Sequence, residues 1–137
     1  MDHLPIFLNV KGKRTLVVGD GVIAARKADL LLRAGSKVTI VAAELGDELL
    51  QLAEKYPFEH QAEALSPGDL EGCMIVFGCS TDDSINQQLC EYAADAGIMV
   101  NVADRTESCD FTMPAVVDRT PLLIAISSGG SSPLLTR

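Results

Sequence analysis

Short apolar runs alternate along this chain with longer segments in which apolar positions recur every three or four residues. That alternation predicts strands and amphipathic helices taking turns, the signature of a parallel α/β sheet. Residues 14–18 read as the first strand, and residues 22–34 as a helix with Ala24, Ala28, Leu31 and Leu32 on one face and Arg26, Lys27 and Arg33 largely on the other. Gly35 is placed to end that helix. Residues 37–41, rich in β-branched side chains, form the second strand, 46–55 a second helix and 58–62 a short third strand. After a turn at Ser66-Pro67-Gly68-Asp69 comes the continuous apolar run Met74–Phe77, as expected of a central strand buried on both faces. Thr81, Asp82 or Asp83 caps a helix running to Ala96, with Ile85, Leu89 and Ala93 inward. Gly97 ends it, and Ile98–Val102 is the fifth strand.

The expected architecture is α/β: a Rossmann-like parallel five-stranded sheet of order 3-2-1-4-5, with a ligand crevice at the carboxyl ends where the order reverses. Near residue 110 the pattern changes. Phe111–Val117 and Leu122–Ile126 are extended apolar stretches around a turn at 118–121, a β-hairpin followed by the polar loop 127–133. Residues 1–112 therefore read as the nucleotide-binding domain, and 113–137 as the start of a further region.

Candidate chemistry concentrates where the first strand meets the first helix. Gly19, Gly21 and Ala24 fit G-x-G-x-x-(G/A) in the order strand, tight turn, helix. Gly19 allows the turn, Gly21 lets a pyrophosphate reach the backbone, and Ala24 lets the helix pack close. The helix N-terminus offers unpaired N–H groups and a partial positive charge. Glu44, just past the second strand, is the nearest acidic residue to bind ribose hydroxyls, and no Arg or Lys closely follows that strand. These features favour NAD over NADP. Asp20 inside the turn is unusual, because a carboxylate there repels phosphate unless it points away.

Composition narrows the classes. A length of 137 residues suits one domain with a real core. The net charge of −8 argues against nucleic acid and anionic membrane surfaces as partners. No apolar run is long enough to span a bilayer, and Met1–Pro5 lacks the features of a signal peptide, so the cytoplasm is the expected compartment. Cys73, Cys79, Cys90 and Cys109 form no C-x-x-C pair and read as core or incidental thiols, with no metal site expected. His3 and His60 are isolated.

Taken together, these segments resemble the N-terminal module of siroheme synthase, a family comprising precorrin-2 dehydrogenase and sirohydrochlorin ferrochelatase. The resemblance rests on Leu4-Pro5-Ile6-Phe7, the glycine turn running to Arg26-Lys27, Thr81-Asp82-Asp83 with Asn86, and Asn101-Val102-Ala103-Asp104. It rests most specifically on Met113–Leu122 running into Ser127–Pro133. The resemblance implies NAD-dependent oxidation of the tetrapyrrole precorrin-2 to sirohydrochlorin, with Fe(II) insertion to siroheme at the same site as a further step. It implies Asp104 as the acid/base, a position just past the fifth strand that favours the same role. By the same carry-over Gly19, Gly21, Val22, Ile23, Ala24, Ala43 and Glu44 line the NAD site, with Thr81 and Asn101 reaching it from neighbouring strand ends. Arg105, Arg119, Ser127, Ser128, Gly129 and Gly130 are the expected anchors for the carboxylate-rich substrate, and Ser128 is a candidate phosphorylation site.

A homodimer is the expected assembly, because the unpaired edges of the hairpin after residue 110 invite pairing with a second chain. Members of the family continue into a helical domain, and some into a methyltransferase, so the chain reads as an N-terminal fragment or minimal form not expected to methylate. Two rival readings are an NAD-binding redox-sensing module and a fragment that binds NAD without turnover. A redox sensor gives no reason for the segment 113–133.

Overall fold

The structure, a computed structural model, describes residues 1–128. Gly129 and Gly130, two of the expected substrate anchors, lie outside the described residues, as does the rest of the serine–glycine loop. Five parallel strands run β1 (Arg14–Val18), β2 (Lys37–Val41), β3 (Glu59–Gln61), β4 (Cys73–Gly78) and β5 (Met99–Val102). They stand in the order 3-2-1-4-5, as the alternating pattern predicts. β1 is central and pairs with both β2 and β4, so the order reverses between β1 and β4.

Helices cover both faces. On one lie α1 (Val22–Arg33) and α2 (Asp47–Lys55); on the other lie α3 (Asp83–Ala96) and a short 3-10 turn at Pro67–Leu70. α1 buries Ala24, Ala25, Ala28, Leu31 and Leu32, a stripe at helical spacing. Its small residues bring the helix close to Val17, Ile40 and Phe77. α3 starts on Asp82, whose carboxylate accepts from Ser84 N–H at 2.9 Å, and ends on Gly97 in the left-handed conformation. Along each strand the side chains alternate between two apolar clusters, so Val17 and Phe77 face α1 while Leu16, Val76 and Val100 face α3.

The hairpin is real but shorter at its start than the apolar pattern implies. β6 (Ala115–Arg119) pairs antiparallel with β7 (Leu122–Ile126) as a separate two-stranded sheet. Residues 111–113 fold back instead. Phe111 sets its ring edge-on to Phe77 at 5.5 Å, its carbonyl accepts from Asn101 Nδ2 at 2.9 Å, and Met113 packs on the α1-side cluster. An apolar run cannot distinguish these two destinations. All of β7 is exposed, with Leu122 at 59%, and so is Phe7 in the N-terminal arm at 69%. Among the described residues no helix is long and apolar enough to cross a membrane.

Leu16, fully buried in the central strand, carries much of the α3-side core. Leu16→Ala is expected to lower unfolding free energy by about 3 kcal/mol. Urea denaturation checks this as a lower midpoint with an unchanged slope.

Candidate functional site

The carboxyl ends of β1, β4 and β5 lie side by side at the switch point of the sheet, where a crevice is expected, and the glycine turn leaves β1 there. Gly19 has φ +146°, and a Cβ built there would lie 2.6 Å from the carbonyl oxygen of Cys79. Both its backbone angle and its space therefore exclude a side chain. Its N–H donates to Val41 O at 3.0 Å, which extends the β1–β2 ladder by one step. Gly21 is different: a Cβ there would meet nothing within 4 Å. Its value is the bare backbone it leaves open at the start of α1.

The first bond of α1 runs from Ala25 N–H to Gly21 O, so Val22, Ile23 and Ala24 precede it with their N–H groups unused by the helix. No acidic residue occupies that first turn and no side chain caps it. An anion is thus the natural partner of this helix end. Val22 and Ile23 are 44% and 40% exposed. Ala24, expected to line the NAD site, is wholly buried at 0% exposure, main chain included, so it packs α1 against the sheet and does not itself meet a cofactor. Asp20 is exposed, and its carbonyl accepts from Gly46 N–H at 3.0 Å. A Cβ on Gly46 would collide with that same carbonyl, so Gly46 holds the glycine turn from below. The pattern along the chain gives Gly46 only as a helix start, and its partner is 26 positions away, out of reach of local reading. Ala43 and Glu44 are exposed just beyond β2.

On the β4 side, Cys79 N–H continues the ladder to Val18 O at 2.7 Å. Burial pushes the Cys79 thiol up to about 11, with nearby Lys27 acting in the other direction. Asn86, buried on α3, grips the next residue twice: Nδ2 donates to Ser80 O at 2.9 Å, and Oδ1 accepts from Ser80 N–H at 3.1 Å. It thereby fixes the loop that carries exposed Thr81. The sequence singles out Asn86 only within the T-D-D-x-x-N run and assigns it no work. Asn101 is buried in β5 beside Phe77; its Nδ2 holds Phe111, and its Oδ1 is buried without a partner.

Asp104 sits in the turn after β5 with φ +62°, a region non-glycine residues seldom adopt. The turn is tied by Ala103 N–H to Gly78 O at 3.0 Å and Arg105 N–H to Val102 O at 3.2 Å. The Asp104 carboxylate is exposed. Arg105, expected as a substrate anchor, is engaged with Asp83 at 2.7 Å and lines a cavity of about 270 Å³ on the α3 side with Asn86, Cys90 and Ser108.

Arg119 requires a correction. It pairs with Leu122 at the hairpin tip, and its neighbour Asp118 reaches Arg33, in the last turn of α1, at 3.6 Å. That is the end of α1 opposite the glycine turn, so this fold does not bring Arg119 to the crevice. Ser127 and Ser128 follow β7 at the other end of the hairpin, where Ile126 pairs with Ala115.

A doubly wound sheet with a bare glycine turn at its switch point, feeding an uncapped helix, defines a dinucleotide-binding α/β domain. The chain belongs to the NAD(P)-binding family whose model, described as "Putative NAD(P)-binding", matches residues 6–115. It is 42% identical over 137 residues to siroheme synthase of Nitrosococcus oceani, and 43% identical over 137 residues to that of Photorhabdus laumondii. All of this chain is covered in both alignments, and it spans 29% of the length of each relative. Its fold also matches the solved structure of SirC, a precorrin-2 dehydrogenase, with a TM-score of 0.84 and 28% identity, over 98% of this chain and 65% of that one.

Gly46→Ala is expected to displace the Asp20 carbonyl and weaken NAD binding about tenfold or more, because the phosphate-facing backbone moves with it. Calorimetric titration with NAD, beside an unchanged far-ultraviolet spectrum, checks this. Cys79 is expected to stay protonated until pH nears its raised value. Its alkylation by iodoacetamide in the folded chain at pH 8 is then roughly a hundredfold or more slower than that of a free thiol, and peptide mass spectrometry reads the rate.

Proposed function

We propose that this chain binds NAD and catalyses the dehydrogenation of precorrin-2 to sirohydrochlorin, with Asp104 as the proton acceptor. The observation that carries the reading is the Asp104 turn. It is an exposed carboxylate held at positive φ just past β5, one residue after the Ala103 N–H that bonds Gly78 O at the end of β4. Strained positions of this kind persist where surrounding structure over-determines them, and they cluster at active sites. The likeness to siroheme synthases and to a precorrin-2 dehydrogenase supports the choice of substrate.

In this reading the N–H groups of Val22 and Ile23, with the open backbone at Gly21, hold the pyrophosphate, and Gly19 shapes the turn beneath them. Glu44 accepts hydrogen bonds from the adenosine ribose hydroxyls, and the stretch 42–46 contains no Lys or Arg to receive a 2′-phosphate. Ala43 borders the same end. Thr81 and Asn101 flank the nicotinamide end. When bound, oxidised NAD supplies the hydride acceptor. Dehydrogenation then removes one hydride and one proton from the substrate, and Asp104 takes the proton and releases it to water. Ser127 and Ser128 border the macrocycle. The second copy in a homodimer packs on the exposed apolar β7, where Leu122, Leu123, Ile124 and Ile126 all lie above 40% exposure.

Anaerobic incubation with precorrin-2 and NAD, followed by NADH absorbance, tests this. Asp104→Asn is expected to lower turnover by roughly 100-fold or more while NAD affinity stays the same. NAD binding by the wild type with no turnover would favour the reading of a nucleotide-binding fragment. NADP is expected to bind at least about tenfold more weakly than NAD, a gap that Glu44→Ala narrows.

A further inference from the structure

Among the described residues β5 ends the sheet, and its outer edge has no partner strand. The chain leaves β5 after Val102, makes the Asp104 turn and the short 3-10 turn at Thr106–Ser108, and returns along that open edge at Cys109 and Asp110. There, two side chains and one main-chain N–H do the pairing that a sixth strand would otherwise do. Asp110 Oδ2 accepts from Val100 N–H at 2.9 Å, and Asp110 N–H donates to Val100 O at 2.8 Å. One step further along, Cys109 Sγ accepts from Val102 N–H at 3.1 Å. It lies 3.2 Å from Val102 O and 3.0 Å from Arg105 O, the two carbonyls open to its S–H. A thiol donates weakly and accepts weakly at once. One sulfur thus bonds the residue where the loop begins and the residue that follows Asp104.

Asp104 lies between these two ties at φ +62°, a conformation that its surroundings must hold. We propose that Cys109 is a positioning residue for Asp104: its thiol closes the 102–109 loop and keeps the carboxylate at the crevice. The proposal rests on the reading of Asp104 as proton acceptor and assigns the group that places it. The other three cysteines have no such geometry. Cys73 and Cys79 sit in the two apolar clusters, and the thiols of Cys73 and Cys90 each make one long contact, to Asp69 O at 3.8 Å and to Ser108 O at 4.0 Å.

The test compares wild type, Cys109→Ala, Cys109→Ser and Asp104→Asn by amide hydrogen exchange and by NAD-dependent turnover of precorrin-2. Cys109→Ala is expected to speed exchange across 102–108 by about tenfold or more while the β1 and β4 amides stay protected. Its kcat is expected to fall by between about 10- and 100-fold, the scale of a small misplacement of a reacting group, with KM for NAD held within about twofold. Cys109→Ser, whose hydroxyl also donates and accepts, is expected to recover most of both losses. Unchanged exchange in Cys109→Ala overturns the proposal. A loosened loop with wild-type kcat, in a chain that Asp104→Asn inactivates, overturns it as well. Wild-type turnover in Asp104→Asn instead overturns the catalytic reading of Asp104, and exchange alone then decides whether Cys109 orders the turn.

Discussion

Everything at the crevice depends on how closely the backbone leaving β1 passes the end of β4. Gly19 turns at φ +146° within van der Waals reach of the Cys79 carbonyl, and no side chain fits between them. That approach sets where α1 begins and which way its first N–H groups point. It also sets where Ser80 and Thr81 emerge. The same economy recurs one layer out, where Gly46 lies against the Asp20 carbonyl. Two backbone-to-backbone contacts, both requiring glycine, thus hold the phosphate-facing turn from opposite sides. Neither involves an apolar side chain, yet both need the core to press the elements together. Val17, Ala24, Phe77 and Cys79 supply that pressure from a single cluster.

The fold was legible because its signals are local and periodic. Strand alternation, the small-residue stripe of α1 and the glycine turn each lie within one helix or strand and its neighbour. Strand order followed from the alternation of element types rather than from any particular contact. The site was half legible for the same reason. Gly19, Gly21 and the position of Asp104 past β5 can be read from spacing. Gly46, Asn86 and Cys109 act through atoms that the fold brings near: Asp20 O across 26 positions, Ser80 across six and Val102 across seven. A glycine before a helix, an asparagine in one and a lone cysteine carry no sign of that work. Phe111 misleads in the opposite sense. Its apolar neighbours suggest a strand, but Phe77 offers an edge-to-face partner and Asn101 a hydrogen bond, so it leaves the hairpin for the core.

Electrostatics divides the crevice from the rest of the surface. The chain carries a net charge of −8, an unpromising background for a phosphate-bearing cofactor or a carboxylate-rich substrate. The fold answers this locally and with backbone rather than with cations. α1 has no acidic residue in its first turn, whereas α2 has both Asp47 and Glu48 in its own. Two helices on the same face of the sheet thus have opposite preferences at their N-termini, and only the one at the switch point is left open to an anion. The arginines nearest in sequence to the proposed reacting end are spent elsewhere, Arg105 on Asp83 and Arg119 at the hairpin tip.

The two halves of the crevice are consequently held by different means. The dinucleotide half is fixed by main-chain geometry that a glycine turn of this type provides, and it falls within the stretch matched by the NAD(P)-binding family model. The proposed reacting half hangs from an edge strand, and an edge strand needs its open N–H groups satisfied before anything attached to it is rigid. Asp110 and Cys109 meet that need with side-chain atoms, so the stretch that seals β5 also closes the loop that presents Asp104. A sixth strand would have sealed the edge equally well. Even then residues 103–108 would still have had to turn between the two strands, and Asp104 takes its positive φ in that turn. Sealing the edge at Cys109 and Asp110 ties down the end of that turn, and it leaves Asp104 exposed at positive φ just past β5, the placement on which its proposed role rests.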